Sequence, residues 1–201
     1  MTDPTEELFG QRYPAAVRYV QILGSRGLEW GLIGPREVDR LWERHVLNSV
    51  ALSQLIPQGS TLVDVGSGAG LPGIPLAILR PDLEITLLEP LLRRSAFLAQ
   101  AVDELGITGQ ARVVRARAEE HGDTYDIVAS RALAPLGRLL QWCAPIRSDA
   151  GVILALKGRT AADEVASTGR QLKAMRLSAS VLTARAHSAA EPTSVVRIAS
   201  L

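Results

Sequence analysis

The sequence predicts an α/β fold, a mostly parallel seven-stranded sheet covered by helices on both faces, closed by an antiparallel C-terminal hairpin and preceded by a helical extension. Three observations predict it. Short apolar runs alternate with helical patterns from about residue 58 onward, as parallel strands joined by crossover helices do. A glycine-rich loop follows the first of those runs. The last two runs, Leu177–Thr183 and Ser194–Ala199, have period-two character with no helix between them, and read as a closing hairpin.

The elements follow in order. Residues 4–29 read as one or two helices interrupted at Pro14, because proline lacks the donor that an inner turn needs. Gly34-Pro35 starts a further helix, in which Val38, Leu41, Trp42, Leu52, Leu55 and Ile56 form a core-facing stripe and which Pro57-Gln58-Gly59 ends. The boundary near residue 57 divides the chain into an N-terminal helical extension, 1–57, packed on a core domain, 58–201. Strands are expected at Thr61–Val65, Leu83–Leu88, Ala111–Arg115, Tyr125–Ala129 and Gly151–Leu156. Helices are expected at Leu71–Leu79, Leu91–Leu105 (closed by Gly106), Pro135–Ile146 and Thr160–Lys173.

Composition narrows the class. At 201 residues the chain has room for one sizeable α/β domain, and 47% hydrophobic residues with only 4% aromatic predict an aliphatic core. No run approaches the roughly 20 apolar residues of a membrane span. The acidic start, Met1 to Glu7, lacks an apolar signal core, so a cytoplasmic protein is expected. A single cysteine, Cys143, excludes an intrachain disulfide, and no His/Asp/Glu cluster has metal spacing, so no metal is expected. Net charge is only +1, but residues 131–201 hold ten Lys/Arg against four Asp/Glu, and all basic residues except Lys157 and Lys173 are arginine, whose planar fork suits phosphate.

The informative segment is Val63-Asp64-Val65-Gly66-Ser67-Gly68-Ala69-Gly70-Leu71-Pro72-Gly73: a strand, three alternating glycines, then a helix. Glycine permits positive φ and close approach of backbone to a ligand, and open α/β sheets bind ligands at the carboxyl ends of their strands. Gly68 to Gly73 also matches the dinucleotide fingerprint G-x-G-x-x-G. Asp64 before the first glycine, the tighter Gly66/Gly68/Gly70 register and the shortness of the chain favour S-adenosylmethionine and a class I, Rossmann-like methyltransferase fold. Glu89, at the tip of the second strand, is placed to accept hydrogen bonds from a ribose, which both cofactors carry. An oxidoreductase would want a Tyr-x-x-x-Lys relay, which Tyr13, Tyr19 and Tyr125 do not provide. A nucleotide-binding RNA module without turnover stays open.

The string from Asp64 through Leu71-Pro72-Gly73-Ile74-Pro75-Leu76 resembles the RsmG (GidB) family of bacterial small-subunit rRNA methyltransferases. Gly34-Pro35-Arg36-Glu37, Arg44-His45-Val46-Leu47-Asn48-Ser49, Arg117-Ala118-Glu119-Glu120, Ser130-Arg131-Ala132 and Leu156-Lys157-Gly158 follow in that family's order. The resemblance implies methylation of guanine N7 in the 530 loop of 16S rRNA with S-adenosylmethionine. A monomer is expected, and the weak basicity of the chain points to the assembled 30S subunit as the substrate. It puts Gly66 and Leu71 against the cofactor, Ala118 and Glu119 along the adenine, and Arg131 in the cofactor site.

Guanine N7 carries a lone pair and no proton, so alignment suffices, which can supply about 7–11 kcal/mol. No catalytic base or nucleophile is expected, only Arg131 as a working charge on the cofactor carboxylate or an RNA phosphate. Cys143, beside Trp142, reads as packing. Lys157 is either a phosphate contact or solvated surface. His45, Asn48 and Ser49 are either satisfied core groups or groups presented to substrate. Arg93, Arg94, Arg112, Arg115, Arg138, Arg159 and Arg197 are candidates for the phosphate footprint, Arg94 and Arg197 being placed with His45, Asn48 and Lys157 as substrate-binding.

Overall fold

The structure, a computed structural model, describes residues 3–201; Met1 and Thr2, part of the acidic start, lie outside it. Helix α1 (Pro4–Phe9) is capped by the Asp3 carboxylate, which accepts from Thr5 N, and a short 3-10 turn leads to α2 (Tyr13–Ile22). Pro14 thus restarts a helix in its first turn, where its missing N–H costs nothing. A π-helical stretch (Leu23–Gly27) continues it.

The single helix expected over 35–56 is four short pieces: a 3-10 segment (Pro35–Arg40), a π-helical segment (Leu41–Leu47), α3 (Asn48–Val50) and a 3-10 segment (Ala51–Leu55). Side chains compete for its carbonyls, with Ser49 Oγ donating to His45 O at 2.6 Å and Asn48 Nδ2 to Arg44 O at 3.3 Å. The core follows: β1 (Thr61–Val65), α4 (Gly73–Leu79), β2 (Glu84–Leu88), α5 (Leu92–Glu104), β3 (Ala111–Val114), β4 (Tyr125–Arg131), α6 (Leu136–Cys143), β5 (Arg147–Lys157), α7 (Ala161–Ser167), α8 (Gly169–Ala174), β6 (Leu177–Ala184) and β7 (Thr193–Ser200).

The seven strands form one sheet in the order β3-β2-β1-β4-β5-β7-β6. All pairs from β3 to β5 are parallel; β7 inserts antiparallel between β5 and β6. The expected fold class is therefore present, closing hairpin included.

Several boundaries differ from expectation, three of them for local reasons that the structure shows. Helix α4 starts at Gly73 rather than Leu71, because Leu71 and Pro72 (joined by a cis peptide) still belong to the glycine loop. Strand β5 begins at Arg147, four residues early, where Arg147 Nη1 donates to the carbonyls of Ser148, Asp149 and Gly151 and the pairing with β4 shifts register. The helix over 160–173 breaks at Thr168, whose Oγ1 donates to Glu164 O at 2.8 Å.

Alternation along the strands feeds two cores. Leu62, Ile85, Leu87, Ile127 and Leu154 pack under α4, α5 and the N-terminal helices, which contribute Phe9, Tyr19, Leu23, Val46 and Leu52. Val63, Leu88, Val128, Ile153 and Val196 pack under α6, α7 and α8. Each fully buried aliphatic side chain contributes about 1.5–3 kcal/mol. Gln54 Nε2 ties the extension to the far hairpin by donating to Arg185 O at 2.6 Å.

Candidate active site

The glycine loop lies where β1 ends. Gly66 N and Ser67 N both donate to Leu88 O, at 2.9 and 3.1 Å, which folds the loop across the tip of β2. Gly66 has φ +70° and Gly70 φ +99°, in the left-handed region that disfavours side chains. A Cβ on Gly66 would collide with Leu133 Cδ1, and one on Gly73 with Leu87 Cδ2 and, at 2.9 Å, with Asp64 Oδ2. The second glycine pattern thus serves close packing of α4 on the sheet.

Asp64, fully buried, organises the loop from below. Its Oδ2 accepts from Ser67 Oγ at 2.6 Å and Gly73 N at 2.9 Å, while Oδ1 is buried without a partner. Burial pushes its carboxyl up to about 6, with the nearby Glu89 carboxylate adding to the shift. Glu89 is also buried; its Oε2 accepts from Gly68 N and its Oε1 from Leu91 N, both at 3.0 Å. Each oxygen keeps a second lone pair, so the carboxylate both braces the loop and can accept hydroxyl donors.

Beside the loop is a small slot of about 120 Å³, lined by Val65, Gly66, Leu88, Ala118, Leu133 and Trp142, with Glu119 at its edge. Its apolar walls suit one flat heterocycle. Ala118 and Glu119 stand in a 3-10 turn (Ala118–Glu120) after β3. The wall on the other side is the turn after β4. Ser130 is buried with its Oγ unpartnered, and Ala132 adopts φ +50°, which costs an L-residue about 1–2 kcal/mol. Leu133 lines the slot, whereas Ala132, Ala134 and Pro135 line a wider cleft of about 750 Å³ shared with Arg44, Asn48, Arg131, Lys157 and Glu164.

Arg131 closes β4 and points to the N-terminal extension. Its Nη2 lies 2.7 Å from His45 Nδ1, and its Nη1 donates to His45 O at 3.4 Å. His45 Nε2 is 3.0 Å from Glu37 Oε2, and Glu37 Oε1 accepts from Arg44 Nη1 at 2.9 Å. Burial and the Arg131 charge lower the His45 pKa. Asn48 borders the same cleft with its Oδ1 buried and unpartnered. Lys157 reaches the rim but is engaged, its Nζ donating to Ala134 O at 2.6 Å and pairing with Glu164 Oε2 at 2.8 Å; it fastens the β4 turn.

The candidate residues therefore divide. Gly66, Gly68, Gly70 and Leu71 form the loop, braced by Asp64 and Glu89; Ala118 and Glu119 border the slot; Arg131, His45, Asn48 and Lys157 meet around the cleft. Arg94 is exposed at the start of α5, on the same carboxyl-end rim. Arg197 is not brought there: it pairs with Leu154, three residues back from the Lys157 end of β5, and faces solvent from mid-strand. Arg112 sits at the opposite end of the sheet, bound to Thr86, Asp123 and Tyr125.

Sequence reasoning missed Tyr19, Glu37 and Glu164. Tyr19, wholly buried on α2, donates to Ala69 O at 2.9 Å and pins the glycine loop from fifty positions away. Its helical spacing signalled burial, but nothing local signalled the partner. Among the described residues no group of three His, Cys, Asp or Glu could hold a metal, and no helix is long and apolar enough to cross a membrane.

Comparison with known proteins agrees with this geometry. The family described as rRNA small subunit methyltransferase G, GidB, matches residues 12–191. The curated relative of that name from Mycolicibacterium paratuberculosis is 55% identical over 163 residues, covering 79% of this chain and 65% of that protein. The one from Mycolicibacterium smegmatis is 47% identical over 195 residues, covering 94% and 82%. The chain spans just under two thirds of the length of the relatives from Mycolicibacterium paratuberculosis and Mycobacterium avium, 65% and 66%. Among solved structures, a SAM-dependent methyltransferase from Aquifex aeolicus superposes with TM-score 0.58 at 14% identity, covering 83% of this chain and 98% of that one. A precorrin-6y C5,15-methyltransferase from Geobacter metallireducens gives 0.58 at 18%, covering 85% and 91%. These likenesses share the fold, and with the match over 12–191 the chain belongs to the GidB family, rRNA small subunit methyltransferase G.

Proposed function

We propose that the protein transfers a methyl group from S-adenosylmethionine to guanine N7 in the 530 loop of 16S rRNA, working on the assembled 30S subunit. The observation that carries the reading is the pairing of a braced glycine loop and buried Glu89 with an apolar slot on one side of the β4 turn and an arginine-bearing cleft on the other. The residues fit the cofactor: Glu89 has free lone pairs for ribose hydroxyls, and Ala118 and Leu133 line a slot that suits a flat base. Bound there, the cofactor supplies an electrophilic methyl on a sulfonium.

The chain's own work is orientation. Guanine N7 needs no proton removed, so no general base is required. The only thiol, Cys143, is buried on α6 with its pKa pushed up to about 12, which removes it as a nucleophile. Arg131 anchors an anion at the cleft, and the Ala132 turn sets the distance between base and slot. The modest net charge favours a preassembled ribonucleoprotein over free RNA.

Mass spectrometry of 16S rRNA from a deletion strain tests this. The reading expects N7-methylguanosine to vanish from the 530 loop and to return with the wild-type chain; an unchanged level overturns it. Calorimetry should detect S-adenosylhomocysteine and not NAD. Free rRNA methylated as fast as 30S subunits would remove the assembled substrate from the reading.

A further inference from the structure

We propose that Glu37 and His45 are positioning residues that aim the Arg131 guanidinium into the cleft as an anchor for an oxyanion. The proposal rests on the function proposed above, since it supplies the reason for an anion there. A guanidinium has donors only, so the 2.7 Å contact from Arg131 Nη2 makes His45 Nδ1 the bare nitrogen. The ring proton is then on Nε2, which donates to Glu37 Oε2 at 3.0 Å, and the second Glu37 oxygen is held by Arg44. Three side chains separated by up to 94 positions form one directed series, Glu37 to His45 to Arg131.

Its chemistry differs from an ion pair. Among the described residues no carboxylate forms a salt bridge with Arg131. A carboxylate in the place of His45 would orient the guanidinium but cancel its charge. A neutral imidazole orients it and leaves the charge for a ligand, while Glu37, one bond further out, fixes the ring. Arg131 has five N–H groups and spends two on His45, so three remain. A largely desolvated cation with no carboxylate in direct contact favours any oxyanion that reaches it. A cofactor carboxylate and an RNA phosphate share that chemistry.

The groups facing His45 are Glu37 and Arg44 from its own segment and Arg131 from β4, with Tyr19 and Asp64 near Arg131. A proton on Nδ1 would turn the acceptor into a donor opposed to Arg131, so activity should fall on the acid side.

The test is a double-mutant cycle on the full chain. His45→Phe and Glu37→Ala should each raise the KM of one anionic substrate roughly tenfold with kcat changed far less, as loss of about 1.4 kcal/mol of binding does. In an Arg131→Ala background the same changes should add less than about twofold. His45→Asn, whose Oδ1 falls near Nδ1, should recover part of the loss. Calorimetry with S-adenosylhomocysteine and the KM for 30S subunits distinguish the two anion sources. Equal losses with and without Arg131 overturn the proposal. Nitrogen-15 NMR of the His45 ring is the readout independent of turnover: a protonated Nδ1 at pH 7.5 overturns it, whereas a wild-type chain that methylates no rRNA but shows a bare Nδ1 fails only the reading of function.

Discussion

Asp64 shows what one buried residue costs and supplies. Its folded-state pKa of about 6 stands above the ordinary 3.8, so the folded protein holds the proton more tightly than the unfolded chain does. Its own contribution to stability is therefore fully present below about pH 4, is lost as pH rises to about 6, and stays lost above that, a loss on the order of 3 kcal/mol. Asp64→Asn keeps an acceptor for Ser67 and Gly73 and removes the charge. We expect it to stabilise the protein by about 1–2 kcal/mol at pH 8, net of the amide's unpartnered N–H, to flatten the pH dependence, and to weaken S-adenosylhomocysteine binding. Thermal melts at pH 5 and 8 check this; a lower melting point at pH 8 contradicts it. Gly66→Ala has the opposite character, because its Cβ would meet Leu133 at positive φ. Cofactor affinity measured by calorimetry should drop at least tenfold, since either the loop or the slot wall must move. Asp64, Gly66 and Glu89 were legible because strand ends, glycines and acid tips carry their meaning locally. Tyr19 was not, because its hydrogen bond to Ala69 O depends on how α2 lies over the sheet.

Among the elements, the strands were read most fully, since alternating buried positions leave a two-residue signature. The segment from Pro35 to Leu55 was read least well. Its apolar stripe predicts a helix, yet the ladder changes pitch three times, and the π-helical turn Leu41–Leu47 carries His45 toward Arg131. Polar residues at core-facing positions were the trace of that irregularity. Helix α7 shows a different kind of hidden role. Glu164 Oε2 accepts from Leu136 N at 2.7 Å and pairs with Lys157, so one carboxylate caps α6 and holds the strand-five lysine. Glu164→Ala should destabilise the protein by about 1–2 kcal/mol, discounted for partial exposure, with the midpoint in urea moving and the slope unchanged. Lys157→Met should cost less in that background than alone, because the two changes share the Lys157–Glu164 pair, and what it still costs is the Lys157 bond to Ala134 O. Additive losses would show that the pair is uncoupled and that Lys157 supports the fold through Ala134 O alone.

On the scale of the whole molecule the arginines sort by the end of the sheet they occupy. Arg94 opens α5, Arg138 lies in the first turn of α6, and Arg159 follows β5; all three are exposed at the carboxyl-end rim that holds the slot and cleft. Arg112 is bound into the network at the opposite end, and Arg197 faces solvent from the middle of β7. Spacing in the sequence could not separate these, because only the strand order brings the starts of α5 and α6 together. If the rim meets RNA, binding is salt-dependent, and each lost phosphate contact lowers the slope of log affinity against log salt by about 0.7–0.9. Arg94→Ala, Arg138→Ala and Arg159→Ala should each flatten the slope by that amount and leave S-adenosylhomocysteine binding intact. Lys173→Ala, exposed in the last turn of α8, should leave the slope unchanged. Filter binding of 30S subunits from 50 to 250 mM salt reads this directly. Equal flattening by Lys173→Ala would mean that the positive C-terminal third of the chain acts as a diffuse field rather than as a rim aligned with the methyl-transfer site.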